Sequence, residues 1–114
     1  MSWDIYIQDL PLVPSIKEVP NSHVPKPIGK RTDLMAKIYQ ALPKAEGEGS
    51  DWIFLRDEGV DMSIQFHMEN RDEVRYLLVH VFGGDQSSTY VSTILRKLEL
   101  RALDTETGEF FCES

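Results

Sequence analysis

Between Val60 and Glu69 apolar and polar residues alternate without a break: Val60, Met62, Ile64, Phe66 and Met68 against Asp61, Ser63, Gln65, His67 and Glu69. Successive side chains of a strand point to opposite faces, so this period of two commits the segment to a strand with one buried and one polar face. A helix, turning by about 100° per residue, would scatter the same apolar set around its circumference. Such a strand needs neighbours, and the next segment supplies one. Asn70 to Glu73 is turn-forming, and Arg75 to Phe82 is apolar on both faces, the pattern of a central strand. A turn at 70–73 pairs Glu69 with Val74, Tyr76 with His67, Leu78 with Gln65 and His80 with Ser63.

The remaining segments extend this hairpin into one small domain. Trp3, Ile5 and Ile7 alternate with Asp4, Tyr6 and Gln8, which predicts a half-buried strand over 3–8. Five of the six prolines follow between Pro11 and Pro27. Each fixes φ and removes a donor, so a proline-rich loop is expected at about 9–31, broken by a helical turn at the capping box Ser15-Ile16-Lys17-Glu18. Thr32 is the expected cap of a helix with Leu34, Met35, Ile38, Tyr39 and Leu42 on one stripe, closed by Pro43. Glu46 to Asp51 reads as a polar connection, and Trp52 to Leu55 as a short apolar strand ended by Asp57-Glu58-Gly59. After Gly83-Gly84, one of Asp85, Ser87 and Ser88 is expected to cap a second helix with Tyr90, Val91, Ile94, Leu95 and Leu98 on its stripe. Arg101–Asp104 and Glu109–Phe111 flank Thr105–Gly108 as a last strand or small hairpin. The order β-α-β-β-β-α-β predicts an α+β two-layer sandwich, a largely antiparallel sheet with both helices on one face. With 114 residues, the chain is expected to form a single domain over 1–114.

The pairing of the central hairpin sorts its side chains. Val60, Met62, Ile64, Phe66 and Met68 join Leu77, Val79 and Val81 under the helices, whereas Ser63, Gln65, His67, Tyr76, Leu78, His80 and Phe82 share the other face. A solvated face does not usually carry Tyr, Leu, His and Phe in one row, so Ser63, Gln65, His67, Tyr76, His80 and Phe82 form a candidate binding face, covered by the proline-rich loop, a second copy of the chain or a ligand. Imidazole titrates near neutrality and binds metals, which singles out His67 and His80. A zinc site would need Glu69, Asp61, His23 or Cys112 in addition, and no zinc-motif spacing is present, so no metal and no cofactor are expected. Ser63 and His80, with Asp61 nearby, supply the residue types of a hydrolytic triad. A serine on a flat strand nevertheless lacks the turn that aims N–H donors at an oxyanion, so no catalytic residue is assigned. Gly29-Lys30-Arg31-Thr32 lacks the first glycine of a phosphate-binding loop, Val24 standing in its place. Gly83-Gly84-Asp85 is better read as a turn and cap than as an anion site, since Asp85 would repel an anion.

Charge adds a direction. Residues 1–45 carry a net +2 and residues 46–114 a net −9, giving −7 overall. This balance argues against nucleic acid and anionic membranes as partners, both of which call for excess Lys and Arg. Asp104, Glu106 and Glu109, with Glu113 beyond them, form a candidate acidic docking surface for a basic protein partner. Cys112 has no partner in the chain, the opening is strand-like and not a basic-then-apolar leader, and no apolar run approaches the ~20 residues of a membrane span, so a cytoplasmic setting is expected.

The opening Ser2-Trp3-Asp4-Ile5-Tyr6-Ile7, the proline-rich loop and the closing Arg101-Ala102-Leu103-Asp104-Thr105-Glu106-Thr107-Gly108-Glu109-Phe110-Phe111 resemble a family of small uncharacterised bacterial proteins of similar length. The resemblance implies a bacterial cytosolic origin and a single domain, and it carries no activity or site. The expected function is a non-enzymatic protein-binding module of the inhibitor or immunity type, binding a protein partner or itself as a homodimer. The alternative is a small enzyme or ligand-binding domain that uses the histidine- and tyrosine-rich sheet face.

Overall fold

A computed structural model describes residues 3–49 and 51–111. Its strands are β1 (Trp3–Gln8), β2 (Gly29–Lys30), β3 (Glu46–Glu48), β4 (Trp52–Asp57), β5 (Val60–Met68), β6 (Glu73–Gly83), β7 (Arg101–Asp104) and β8 (Glu109–Phe110), and its helices are α1 (Arg31–Ala41) and α2 (Ser87–Leu98). The strands form one sheet in the order β3-β4-β5-β6-β1-β7-β8, with β2 continuing the line of β1 beside β6. Every pairing is antiparallel. The protein is thus an α+β fold. Its core is a single cluster in which Ile5, Ile7, Ile53, Met62, Ile64, Leu77, Val79 and Ala102 of the sheet meet Leu34 and Ile38 of α1 and Val91, Ile94 and Leu98 of α2.

β6 lies in the middle of the sheet, as its two apolar faces require. The pairs His67–Tyr76, Gln65–Leu78 and Ser63–His80 form as the alternation dictates. Two bulges bracket that register. Met68, not Glu69, pairs with Val74, which leaves Arg75 unpaired, and at the far end the jump from Met62–Val81 to Asp61–Gly83 leaves Phe82 unpaired. A bulged residue twists the strand and re-aims its side chain. Phe82 emerges 54% exposed.

Both helix caps differ from the sequence expectation. Lys30, extended within β2, is the N-cap residue of α1, and Thr32 lies inside the first turn. The amide of Arg31 donates to the Asp72 carbonyl, so the neighbouring turn satisfies an exposed helix amide that a side-chain cap would otherwise take. For α2 the cap position is Gln86, whose amide donates to the Gly59 carbonyl, while the Ser87 hydroxyl donates to the Gly83 carbonyl. Asp85 is an exposed turn residue. The segment read as a polar connection forms edge strand β3 along β4. Glu-Gly-Glu has no residue of high strand propensity, and charge on an edge suits a strand that must not recruit another chain. The capping box at Ser15 yields a single 3-10 turn, Ile16–Glu18, with the Ser15 hydroxyl accepting from the Lys17 amide.

The proline-rich segment leaves the sheet after β1 and returns at β2. The Arg101 guanidinium sits over Phe110, its Cζ 3.5 Å from the ring centroid, and donates to the carbonyls of Pro11 and Val13. Glu109 accepts from the Ser15 hydroxyl and the Ile16 amide. The imidazole of His23 contacts the Asp9 carbonyl, and Ile28 donates to Val74. These bonds hold the loop to the β7–β8 edge and to the start of β6. Among the described residues no helix is long and apolar enough to cross a membrane.

The turn into α2 depends on close backbone approach. Gly84 has φ +98°, and a Cβ there would overlap the Gly59 carbonyl and lie 2.6 Å from the Val60 Cα. Gly108 has φ +73° with open space around it. We expect Gly84→Ala to cost about 2–4 kcal/mol, overlap and left-handed strain combined, and Gly108→Ala about 1 kcal/mol from strain alone. Urea unfolding of the two variants measures the difference, and equal losses would rule out the packing argument.

Candidate functional site

The uncovered face of the sheet is built in cross-strand rows. One row runs Phe54, Ser63, His80, Asp4 across β4, β5, β6 and β1, and the next runs Trp52, Gln65, Leu78, Tyr6. Ser63 is the smallest side chain in either row, and rings stand on both sides of it. The mismatch in size leaves an opening of about 520 Å³ lined by Trp52, Phe54, Ser63, His80 and Phe82, Phe82 being the bulged residue. No residue of the proline-rich loop contributes to this lining. The rings of Trp52 and Phe54 lie within 11° of parallel, those of Trp52 and His80 within 21°, and those of His80 and Phe82 within 20°, with centroids 5.9–6.3 Å apart.

Two polar features interrupt the apolar lining. The first is Ser63, 1% exposed, whose hydroxyl has no hydrogen-bond partner. Leaving such a group buried and unsatisfied costs roughly 1–3 kcal/mol. The second is the pair His80–Asp4, with Nδ1 of the imidazole 2.9 Å from the carboxylate Oδ1. An ionised carboxylate only accepts, so Nδ1 carries the proton, and in the neutral ring Nε2 carries the lone pair. Thr105 steadies this arrangement, since its amide and hydroxyl both donate to the Asp4 carbonyl.

Along the same face, His67 stacks on Tyr76 at 4.4 Å and Tyr76 contacts Tyr6 at 5.6 Å. The Nε2 of His67 is buried without a partner. Burial, followed by the charge of His80, pushes the His67 pKa below the usual imidazole value, and Asp51 opposes the shift. The two histidines sit four residues apart along the hairpin register, roughly 13 Å of strand rise between their backbone positions, and influence each other through charge. Among the described residues no group of three or more His, Cys, Asp or Glu side chains could hold a metal ion.

The six residues expected on the binding face, Ser63, Gln65, His67, Tyr76, His80 and Phe82, share one side of the sheet. Trp52, Phe54 and Asp4, on the same side, were not assigned to it from the sequence. Trp52 and Phe54 belong to an unbroken apolar run, Trp52 to Leu55, whose phase the pattern leaves open. Asp4 sits 76 residues from His80, and only the placement of β1 beside β6 joins them. The carboxylate expected near Ser63 and His80, Asp61, is instead exposed and 3.8 Å from Arg56. The three residues expected to form an acidic docking surface do not share one exposed patch. Asp104 is only 6% exposed and accepts from the Trp3 indole and the Glu106 amide; Glu109 is half-buried against Ser15; Glu106 is exposed. Cys112 and Glu113 lie outside the described residues.

Comparison with protein-family models, curated proteins and solved structures finds no match to this chain.

The unsatisfied hydroxyl predicts an inverted mutational response. Ser63→Ala removes a buried donor that nothing satisfies, and we expect a gain of about 1 kcal/mol in unfolding free energy. A loss of similar size would mean that the hydroxyl has a partner in solution. His67 predicts a pH dependence. Its folded pKa lies below the ordinary 6.5, so the unfolded chain binds more protons there; its contribution is full above that value and declines as pH falls through it. Replacing His67 by Phe, which keeps a ring on Tyr76, should flatten the stability profile between about pH 5 and 7. An unchanged profile in chemical unfolding would assign the slope to other groups.

Proposed function

We propose that the protein is a non-enzymatic binding module whose uncovered sheet face takes a small ligand with a flat, apolar body. One observation carries the reading: a serine hydroxyl, buried and without a partner, sits at the floor of an opening of about 520 Å³ otherwise walled by rings. A binding site tolerates an unsatisfied polar group of this kind because the ligand supplies the missing partner, at some cost to the stability of the free protein. The opening is of the size of small-molecule sites, largely apolar with a few polar groups to orient a guest. Catalysis has less support. Ser63 lies mid-strand, away from any turn or helix start that could stabilise an oxyanion.

A second reading, favoured by Phe82 standing exposed at the rim, places a protein partner or a second copy of the chain on the same face, as an inhibitor-type module would require. Titration of isotopically labelled protein with small aromatic fragments, followed by amide NMR, tests both. The first reading expects saturable shifts confined to 52–54, 63–65 and 80–82, weakened at least about tenfold by Trp52→Ala or Phe82→Ala, a loss near 1.4 kcal/mol. Shifts scattered elsewhere would overturn it. Tumbling at twice the expected mass, abolished by Phe82→Glu, would favour the second copy.

A further inference from the structure

Building on the ligand-binding reading, we infer that the guest is a neutral, planar aromatic molecule carrying a hydroxyl or N–H donor on its edge. The body is set by the rings. Phe54, Trp52, His80 and Phe82 are successively within about 20° of parallel, a set of aligned plates that matches a flat guest. A cage for an alkylated ammonium instead needs ring faces that converge on the cation from several directions. One face of Phe54 already holds a cation, the Arg56 guanidinium 4.9 Å from its centroid.

The edge is set by the two polar groups. With Nδ1–H directed at Asp4, Nε2 of His80 offers a lone pair whenever the imidazole is neutral, and in that state it calls for a donor. Ser63, directly opposite His80 across the strands, can donate to a lone pair of a ligand hydroxyl or accept from a further ligand N–H. The Ser63 hydroxyl is buried, and a guest reaches it through rotamer changes among the half-exposed side chains around it, a common adjustment on binding. The absence of negative charge follows from the same pair. Whether His80 is neutral or protonated, the Asp4–His80 unit has no net positive charge, the Arg56 guanidinium beside Phe54 is itself 3.8 Å from the Asp61 carboxylate, and the chain as a whole carries −7, so these groups offer a carboxylate or phosphate no unpaired positive charge.

Calorimetry with four probes separates the possibilities: 2-naphthol, 2-methoxynaphthalene, 2-naphthoate and tetramethylammonium. The inference expects 2-naphthol to bind at least about tenfold more tightly than its methyl ether, which has no donor, with the gap closing in His80→Phe. Because His80→Phe could disturb the sheet, Asp4→Asn serves as the second variant; it frees the imidazole tautomer and should narrow the same gap while the amide spectrum stays folded. Equal affinity for naphthol and ether, tighter binding of naphthoate, or displacement of naphthol by tetramethylammonium would each overturn the inference while leaving a ligand site in place. Failure of all four probes to bind would overturn the ligand-binding reading along with it.

Discussion

The antiparallel pairing of β5 with β6 is the constraint on which everything else rests. Because strand side chains alternate with a period of two, a slip of one residue would send Met62, Ile64 and Phe66 to water and Ser63, Gln65 and His67 to the core. Burying the apolar set against α1 and α2 therefore selects a single register, and that register places His80 beside Ser63. The bulges at Arg75 and Phe82 are part of the same solution. They bracket the register at both extremities and turn Phe82 outward, which supplies one wall of the opening.

The closing segment acts as a brace. Asp104 takes the Trp3 indole, Thr105 holds the Asp4 carbonyl, Arg101 grips the proline-rich loop, and Glu109 secures Ser15. Much of the polarity there is consumed inside the fold, where charge-assisted bonds to indole, amide and hydroxyl groups are stronger than neutral ones. The uncovered face shows the opposite economy: rings lie half-exposed, and two buried polar atoms, in Ser63 and His67, have no partner. Each such unsatisfied group costs the folded state stability, and both lie on this one face.

Legibility followed the range of the interactions. The strands of the central hairpin, both helices and the identity of the core face rest on periodicities of two and 3.6 residues, which are local, and they could be read directly. Helix caps could not, because the amides of Arg31 and Gln86 are satisfied by carbonyls of distant turns, those of Asp72 and Gly59. The strand β3 escaped notice because its pairing with β4 supplies what Glu-Gly-Glu lacks in propensity. Acidic residues read as surface turned inward at Asp104 for a similar reason: a carboxylate and an indole 101 residues apart in sequence meet only once β1 lies beside β7.

The amino-acid sequence by itself determined an α+β fold, a central hairpin in a definite register, and a second sheet face unusually rich in rings and histidines. Alternation and side-chain chemistry are properties of neighbouring residues, so they need no fold to be read. The order of strands in the sheet was decided only by the tertiary structure. It placed β4 and β1 on either side of the hairpin, brought Trp52 and Phe54 against Ser63 and Asp4 against His80, and so turned a row of unusual residues into an opening with a floor, walls and an oriented imidazole. Strand order depends on which edges and faces pack best over the whole chain, and no local window of sequence contains that sum.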